Sequence, residues 1–365
     1  MISLRNIFGK KDEPINSYKD FWNWFQKNEK TFFKIVKENN DVEKNFLDQL
    51  TPKTINIKSG IFFLTGMCSD DTAELVFTAD GNVKNFVFIE EFVDAAPTLA
   101  GWKFTALKPE LDINDVNIEM NGFLFSQNNI HFYANNVANM PDEIDITIVH
   151  DDLNNENKKI VGHGIYIFLD NYLGELNFAT SIDSVEVLGR QGIKEELIPI
   201  NKLKDYLIWR QKEFIEKYDG TKYDTENGGH TVFEANTKNG QRVLAVINTD
   251  LLAWDNKASH PWIVEIRLKY DGSSNNGLPN DSTYETLNKI EEELMLYLKD
   301  YDGYLLIGRE TGENLRTVFI ACKEFRKPSK VVDDIIKKHA NKFEIEFDIY
   351  KDKYWRSFGR FTQKL

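Results

Sequence analysis

Trp262-Ile263-Val264-Glu265-Ile266-Arg267-Leu268-Lys269-Tyr270 sets Trp262, Val264, Ile266, Leu268 and Tyr270 on one side and Ile263, Glu265, Arg267 and Lys269 on the other. That is the two-residue period of a strand with one buried face. After a Gly277-Leu278-Pro279 turn, Ser282 and Glu285 have the spacing of a capping box. Tyr284, Leu287, Glu291, Leu294 and Leu298 then recur at three- and four-residue steps, a helical stripe with Glu291 as its polar member. Two apolar runs follow, Tyr304 to Arg309 and Leu315 to Cys322, joined by Glu310-Thr311-Gly312-Glu313-Asn314 as a hairpin with a longer loop. Pro328 opens a second helix with Val332, Ile335, Ile336 and Ala340 inward. A last strand alternates Phe343, Ile345, Phe347 and Ile349 with Glu344, Glu346, Asp348 and Tyr350.

The order β-α-β-β-α-β is that of a ferredoxin-like, split βαβ module. In it the first and last strands are antiparallel neighbours, so Arg267 and Lys269 should lie across from Glu346 and Glu344, pairs that contribute roughly 0.2–1 kcal/mol each. Upstream, His230 to Thr237 and Gln241 to Asn248 flank Asn239-Gly240, a type I′ hairpin signal expected to add strands to the module. An RNA-binding version of such a sheet would need aromatic platforms and a basic field, and the outer strand here is acidic.

The chain has 365 residues, more than one hydrophobic core usually organises, so two or more domains are expected. A formal net charge of -13 argues against nucleic acid and anionic membrane surfaces as partners. Residues 221–365 hold 22 Lys+Arg and 23 Asp+Glu, leaving 23 and 35 for residues 1–220, so the acidic excess is N-terminal. Asp219-Gly220-Thr221 and Asn227-Gly228-Gly229 mark a boundary. The expected division is an acidic α+β domain at 1–219, a linker at 220–229 and the ferredoxin-like domain at 230–365. Cys68 and Cys322 fall in separate halves beside apolar runs and read as buried free thiols. Met1 to Lys10 contains no apolar region of signal-peptide length and no run approaches a membrane span, which predicts a cytoplasmic protein.

The N-terminal part begins with a helix capped by Ser17 and Asp20, with Phe21, Phe25, Phe32 and Val36 on one face and Trp22 and Trp24 beside it. A second helix is expected from Asp41 to Leu50, strands at Thr54 to Thr65 and Ala73 to Ala79, a third helix over Val83 to Leu99, and a strand at Gly101 to Leu107. Short strands are predicted at Gly122 to Phe125, Ile130 to Tyr133, Ile144 to His150, Gly164 to Leu169 and Val185 to Leu188, before a helix with Leu203, Tyr206, Leu207 and Phe214 inward. The whole chain is thus α+β, its N-terminal domain a mixture of helices and short strands.

No glycine-rich dinucleotide turn, Walker-type lysine or Gly-x-Ser-x-Gly elbow is present, and no cofactor is expected. His150-Asp151-Asp152 with His163 is the densest group of potential metal ligands, but adjacent ligands on a loop are geometrically awkward, so it reads as a polar loop and no metal site is assigned. Glu90-Glu91 and Glu291-Glu292-Glu293 lie on helices, where a solvated face accounts for them. Arg309, Thr311 and Arg316 bracket the central hairpin, and Asp352 and Trp355 follow the last strand. Gathered together, they would offer guanidinium donors and an indole to an acidic peptide or carboxylate. The structural alternative is an Arg316–Asp352 or similar salt bridge that locks the C-terminal tail.

Trp262-Ile263-Val264-Glu265-Ile266, Asn276-Gly277-Leu278-Pro279, Ile290-Glu291, Ile307-Gly308-Arg309-x-Thr311, Arg316 before Phe319, and Asp352-x-x-Trp355 together resemble the bacterial domain of unknown function 695 family over about residues 225–360. Ile320-Ala321-Cys322 departs from the more aromatic, tyrosine-bearing ending of that family's third strand. At the level of fold the module is also similar to the ribonuclease E regulator B family, acidic proteins that bind and inhibit an enzyme. Phe21-Trp22-Asn23-Trp24-Phe25, Gly101-Trp102-Lys103-Phe104 and Leu169-Asp170-x-x-Leu173-Gly174-Glu175 resemble the leading part of other uncharacterised bacterial proteins. None of these resemblances implies an activity. The expectation is a non-catalytic binding or regulatory module whose acidic N-terminal part meets a basic protein surface, the alternative a hydrolase working in an interdomain groove.

Overall fold

The computed structural model describes residues 14–225 and 228–362; the N-terminal reading at Met1 to Lys10 and part of the expected linker lie outside them. The chain divides into two compact units, the first ending at Pro109 and the second beginning at Glu110.

In the first unit, α1 (Tyr18–Glu38), α2 (Asp48–Thr54), β1 (Phe62–Ser69), β2 (Thr72–Thr78), α3 (Val83–Asp94) and β3 (Trp102–Ala106) follow in order. Ser17 caps α1 by accepting from the Asp20 backbone N–H at 3.2 Å, and the Asp20 carboxylate accepts the Ser17 hydroxyl at 2.7 Å. The aromatic stripe of α1 is buried, with Phe21, Trp22, Phe25 and Phe32 at 3% exposure or less. It packs edge-on and tilted against Phe46, Phe77, Phe92 and Trp102. β1 pairs antiparallel and β3 parallel with β2. The third helix ends at Asp94, short of the expected Leu99, and residues 55–61 precede β1 without joining it. Cys68, expected to be buried, is exposed, because it lies on the outer side of edge strand β1 at a register shift between Met67 and Ser69.

The second unit starts with β4 (Ile118–Met120), β5 (Phe123–Phe125), β6 (Ile130–Asn135), β7 (Asp145–His150), α4 (Lys158–Leu173), α5 (Glu175–Ser181), β8 (Ser184–Gly189), β9 (Ile198–Pro199) and α6 (Leu203–Tyr218). A four-stranded sheet runs β8-β7-β6-β9, with β7 and β8 parallel. Gly164 to Leu169, expected as a strand, is helical. Val161, Ile165, Phe168, Leu169 and Tyr172 bury one face of α4, and Gly164 lets the helix approach Phe125 so closely that a Cβ there would meet the ring at 2.1 Å. Tertiary packing overrides the strand propensity of Ile-Tyr-Ile-Phe.

The chain continues through β10 (His230–Asn236), β11 (Arg242–Asn248), α7 (Thr249–Leu252), β12 (Trp262–Lys269), α8 (Asp281–Tyr297), β13 (Tyr304–Gly312), β14 (Leu315–Cys322), α9 (Arg326–His339) and β15 (Glu344–Lys351). These strands form one antiparallel sheet in the order β10-β11-β13-β14-β12-β15, so the β-α-β-β-α-β succession and the added hairpin are both present. Arg267 lies across from Glu346 and Lys269 across from Glu344, and Lys269 binds the Glu344 carboxylate at 2.5 Å. Arg267 turns instead to Glu265 on its own strand, at 2.7 Å. The cap of helix α8 lies two residues before the expected one, at Asn280 rather than Ser282, with the Asn280 side-chain oxygen accepting the Thr283 N–H.

The expected division at 220–229 falls inside the second unit. Lys351, the last residue of β15, and Lys353 just beyond it reach back to Asp183 at 2.7 and 2.6 Å, Tyr354 donates to Asp142 at 2.6 Å and Arg356 pairs with Glu143 at 3.0 Å. Residues 110–219 and 230–365 are therefore joined by partly buried charges.

The central strands of the six-stranded sheet bury apolar residues on both faces. Val264, Ile266 and Leu268 share one face with Val318, Ile320, Ile345 and Phe347. Ile263, Phe319 and Ala321 on the other pack with Trp355, Phe358 and Phe361 of the C-terminal segment. Ile266 is fully buried in mid-strand, so Ile266→Ala should cost about 2–5 kcal/mol. An unchanged denaturation midpoint would contradict the assignment of this face.

Candidate functional site

The sheet register explains how three of the five sequence candidates come together. Leu306 faces Ile320 and Gly308 faces Phe319, so β13 carries a bulge at Ile307. Ile307 stays with the far-face cluster of Leu305 and Phe319, whereas Arg309 is re-aimed opposite Val318 and Thr311 opposite Arg316. Without the extra residue, Arg309 and Thr311 would point to the other face. Gly308 makes the bulge possible: its φ is +149°, and a Cβ would lie 2.2 Å from the Val246 carbonyl oxygen.

Helix α8 lies over this part of the sheet. Tyr284, Asn288 and Glu291, at i, i+4 and i+7, form one helical face. Arg316 is 0% exposed. Its Nε donates to the Thr311 hydroxyl at 3.1 Å and its Nη1 to the Asn288 side-chain oxygen at 2.7 Å, while the guanidinium lies 4.9 Å from the Tyr284 ring centre. Arg309 donates to Glu291 Oε1 at 2.5 Å. Glu291, expected on a solvated face, is thus buried at 8% exposure because it neutralises a guanidinium.

The cluster is unbalanced, with two guanidinium groups and one carboxylate. Arg316 Nη2 and Glu291 Oε2 are both buried without a hydrogen-bond partner. Burial pulls the Arg316 pKa below its ordinary value, Glu291 works against that and Arg309 adds to it. The Tyr284 hydroxyl is held below its usual range, chiefly by Asn288, with Arg309 and Arg316 contributing. A buried unmatched positive charge is costly and is offset when an anion approaches. Arg309 and Tyr284 are partly exposed, so the cluster reaches the surface beside them.

Asp352 and Trp355 stand elsewhere. Arg316 lies opposite Leu268, whereas Lys351 lies opposite Trp262 at the other end of β12, a separation on the order of 20 Å. Asp352 caps the final helical turn by accepting from the Arg356 and Ser357 N–H groups, both at 2.9 Å. The Trp355 indole donates to the His260 carbonyl at 2.9 Å from within the far-face core. The Arg316–Asp352 bridge does not form.

A second feature is a cleft of about 340 Å³ inside the second unit, between α5, α6 and the start of β12. Lys323, Arg326, Lys351 and Lys353 line it, with Phe214 and Trp262 among its apolar walls, and its lining contains no Asp, Glu, His or Cys. Burial lowers the Lys351 pKa to about 8 even though Asp183 opposes the shift.

His150 is buried; its Nδ1 accepts from the Asp152 N–H at 3.2 Å and its Nε2 lies 3.0 Å from the Leu124 carbonyl. Asp151 pairs with Arg190 at 2.8 Å. Among the described residues no group of three His, Cys, Asp or Glu could hold a metal ion, and no helix is long and apolar enough to cross a membrane.

No curated protein and no solved structure matches this chain. The family resemblance seen at about residues 225–360 is upheld for the C-terminal part: residues 234–362, from within β10 onward, match the model described as a family of unknown function, DUF695.

Proposed function

We propose that this protein is a non-catalytic binding module that recognises a carboxylate group of a protein partner through Arg309 and Arg316. The observation that carries this reading is the buried Arg316 guanidinium, one of whose nitrogens has no partner, in a cluster where two guanidinium groups share one carboxylate. A guanidinium offers a planar pair of donors matched to a carboxylate, and Arg309, 25% exposed, carries that pair to the surface. Residues 221–365 are nearly charge-neutral, and the acidic excess elsewhere is screened within about 8 Å at physiological salt. The alternative of a basic partner surface rests on that acidic excess alone.

A hydrolase working in the cleft has less support, because a general base must come from a side chain within reach of the reacting proton and the lining supplies no carboxylate, imidazole or thiol. The test is binding of a peptide array carrying Asp, Glu or a free C-terminus, each paired with its amide counterpart. Wild type should retain a subset of the acids, and Arg309→Met and Tyr284→Ala should weaken that subset about tenfold. Equal retention of acids and amides would contradict the reading. Turnover of an ester or amide substrate that is lost in Arg309→Met would favour the enzyme instead.

A further inference from the structure

We propose that the cleft lined by Lys323, Lys351, Lys353, Phe214 and Trp262 is a second, independent site that binds a small organic anion with a flat apolar body, of the aromatic carboxylate class. Charge is the first argument. In a chain of net charge -13, this cleft gathers four cationic side chains and no acidic one in its lining. Asp183 lies behind it and serves both Lys351 and Lys353, so even the paired lysines carry one positive charge more than their carboxylate balances.

Donor capacity is the second argument. An ammonium has three N–H groups. Lys351 uses one on the Thr180 carbonyl at 2.7 Å and turns another toward Asp183 as an ion pair; Lys353 uses two, on the Asp142 carbonyl at 2.6 Å and on Asp183. Lys323 donates to the Thr221 carbonyl. One donor each on Lys351 and Lys353 and two on Lys323 are therefore left for a ligand, and Lys353 is itself 95% buried by side-chain area (5% exposed).

The apolar half of the ligand follows from the walls. Lys353 Nζ is 4.8 Å from the Phe214 ring centre and Lys351 Nζ is 5.9 Å from that of Trp262, so the ammonium groups stand beside aromatic surface. Phe325 packs edge-on against Trp262 at 5.0 Å and extends that wall. Trp262 and Phe325 are already buried, but Phe214 is partly exposed and Ile215 59% exposed in the lining. A bare inorganic anion would meet the charges and leave this apolar surface uncovered, and a neutral aromatic would cover it and leave the donors unused. The volume, about 340 Å³, is at the lower end of the range of small-molecule sites.

The experiment is calorimetric titration of the full chain with 2-naphthoate, with the neutral 2-acetylnaphthalene and with inorganic phosphate. Naphthoate should bind at least about tenfold more tightly than either of the others. Lys323→Met, which removes charge and keeps the alkyl stem, should weaken it about tenfold, Leu176→Trp, which fills the cleft, should abolish it, and Arg309→Met should leave it unchanged. The inference is overturned if naphthoate does not bind, if the neutral analogue binds equally, or if Lys323→Met and Leu176→Trp have no effect. Loss of naphthoate binding in Arg309→Met, with both cleft variants unaffected, would assign the carboxylate to the arginine cluster and remove the cleft site while leaving the proposed function standing.

Discussion

Asp183→Ala is expected to destabilise the second unit by about 3–5 kcal/mol, the cost of leaving buried charge without its partner. The Asp183 carboxylate is 9% exposed, accepts from Lys353 at 2.6 Å and the Ile144 backbone N–H at 2.7 Å, and forms an ion pair with Lys351 at 2.7 Å. Burial alone would raise its pKa, and the two lysines more than offset this and hold it below the ordinary carboxylate value. Removing it strands two ammonium groups whose side chains are 14% and 5% exposed. Since Asp183 belongs to residues 110–219 and both lysines lie at or just beyond the end of β15, the loss should appear as earlier and less cooperative denaturation. The triple replacement Asp183→Leu, Lys351→Met and Lys353→Met should recover much of the stability, because an apolar substitute for a whole buried ion cluster is often neutral or better. A single variant with wild-type stability would mean that these charges do not join the two halves.

Acid should weaken the fold through His260. It is 0% exposed, its Nδ1 is 2.8 Å from the Ser259 hydroxyl and its Nε2 has no partner. Burial, with a smaller contribution from Lys323, pushes its pKa from 6.5 down to about 3. Between these values the unfolded chain binds a proton that the folded chain does not, so this contribution to stability is complete above pH 6.5 and is lost as pH falls toward 3. Between pH 6.5 and 5, where most carboxylates remain ionised, the loss should be about 2 kcal/mol. His260→Phe should flatten that slope. If wild type and variant show parallel pH profiles in this window, the imidazole is not held neutral.

The strand and helix alternation of the C-terminal part was readable because each strand there has one consistently apolar side and each helix one stripe. Even the arginine cluster was partly visible, in Ile307-Gly308-Arg309-x-Thr311 and in the Glu291 that interrupts the α8 stripe. Reading Tyr284, Asn288 and Glu291 as one helical face would have found the remaining partners. What was hidden is the bulge: a two-residue period places Ile307, Arg309 and Thr311 on one side, and only the bulge at Ile307, which Gly308 permits, separates them. The far face was hidden too, because Trp355, Phe358 and Phe361 bury it from the chain end, which turns Asp352 and Trp355 from site candidates into a cap and a core residue. The polar join at Asp183 was missed because net charges of whole halves say nothing about single buried pairs. The cleft draws its walls from positions 144 to 353, and no local pattern records that meeting.

The account stands most directly on the Arg316 guanidinium, whose Nε–H bonds the Thr311 hydroxyl and should give a protected side-chain resonance in the ¹⁵N-labelled full chain. Titration with N-acetyl-aspartate methylamide should shift that resonance saturably, N-acetyl-asparagine methylamide should not, and Arg309→Met should weaken the aspartate response about tenfold. An Arg316 resonance that ignores the carboxylate, or that moves equally with the amide, would contradict carboxylate recognition at this site.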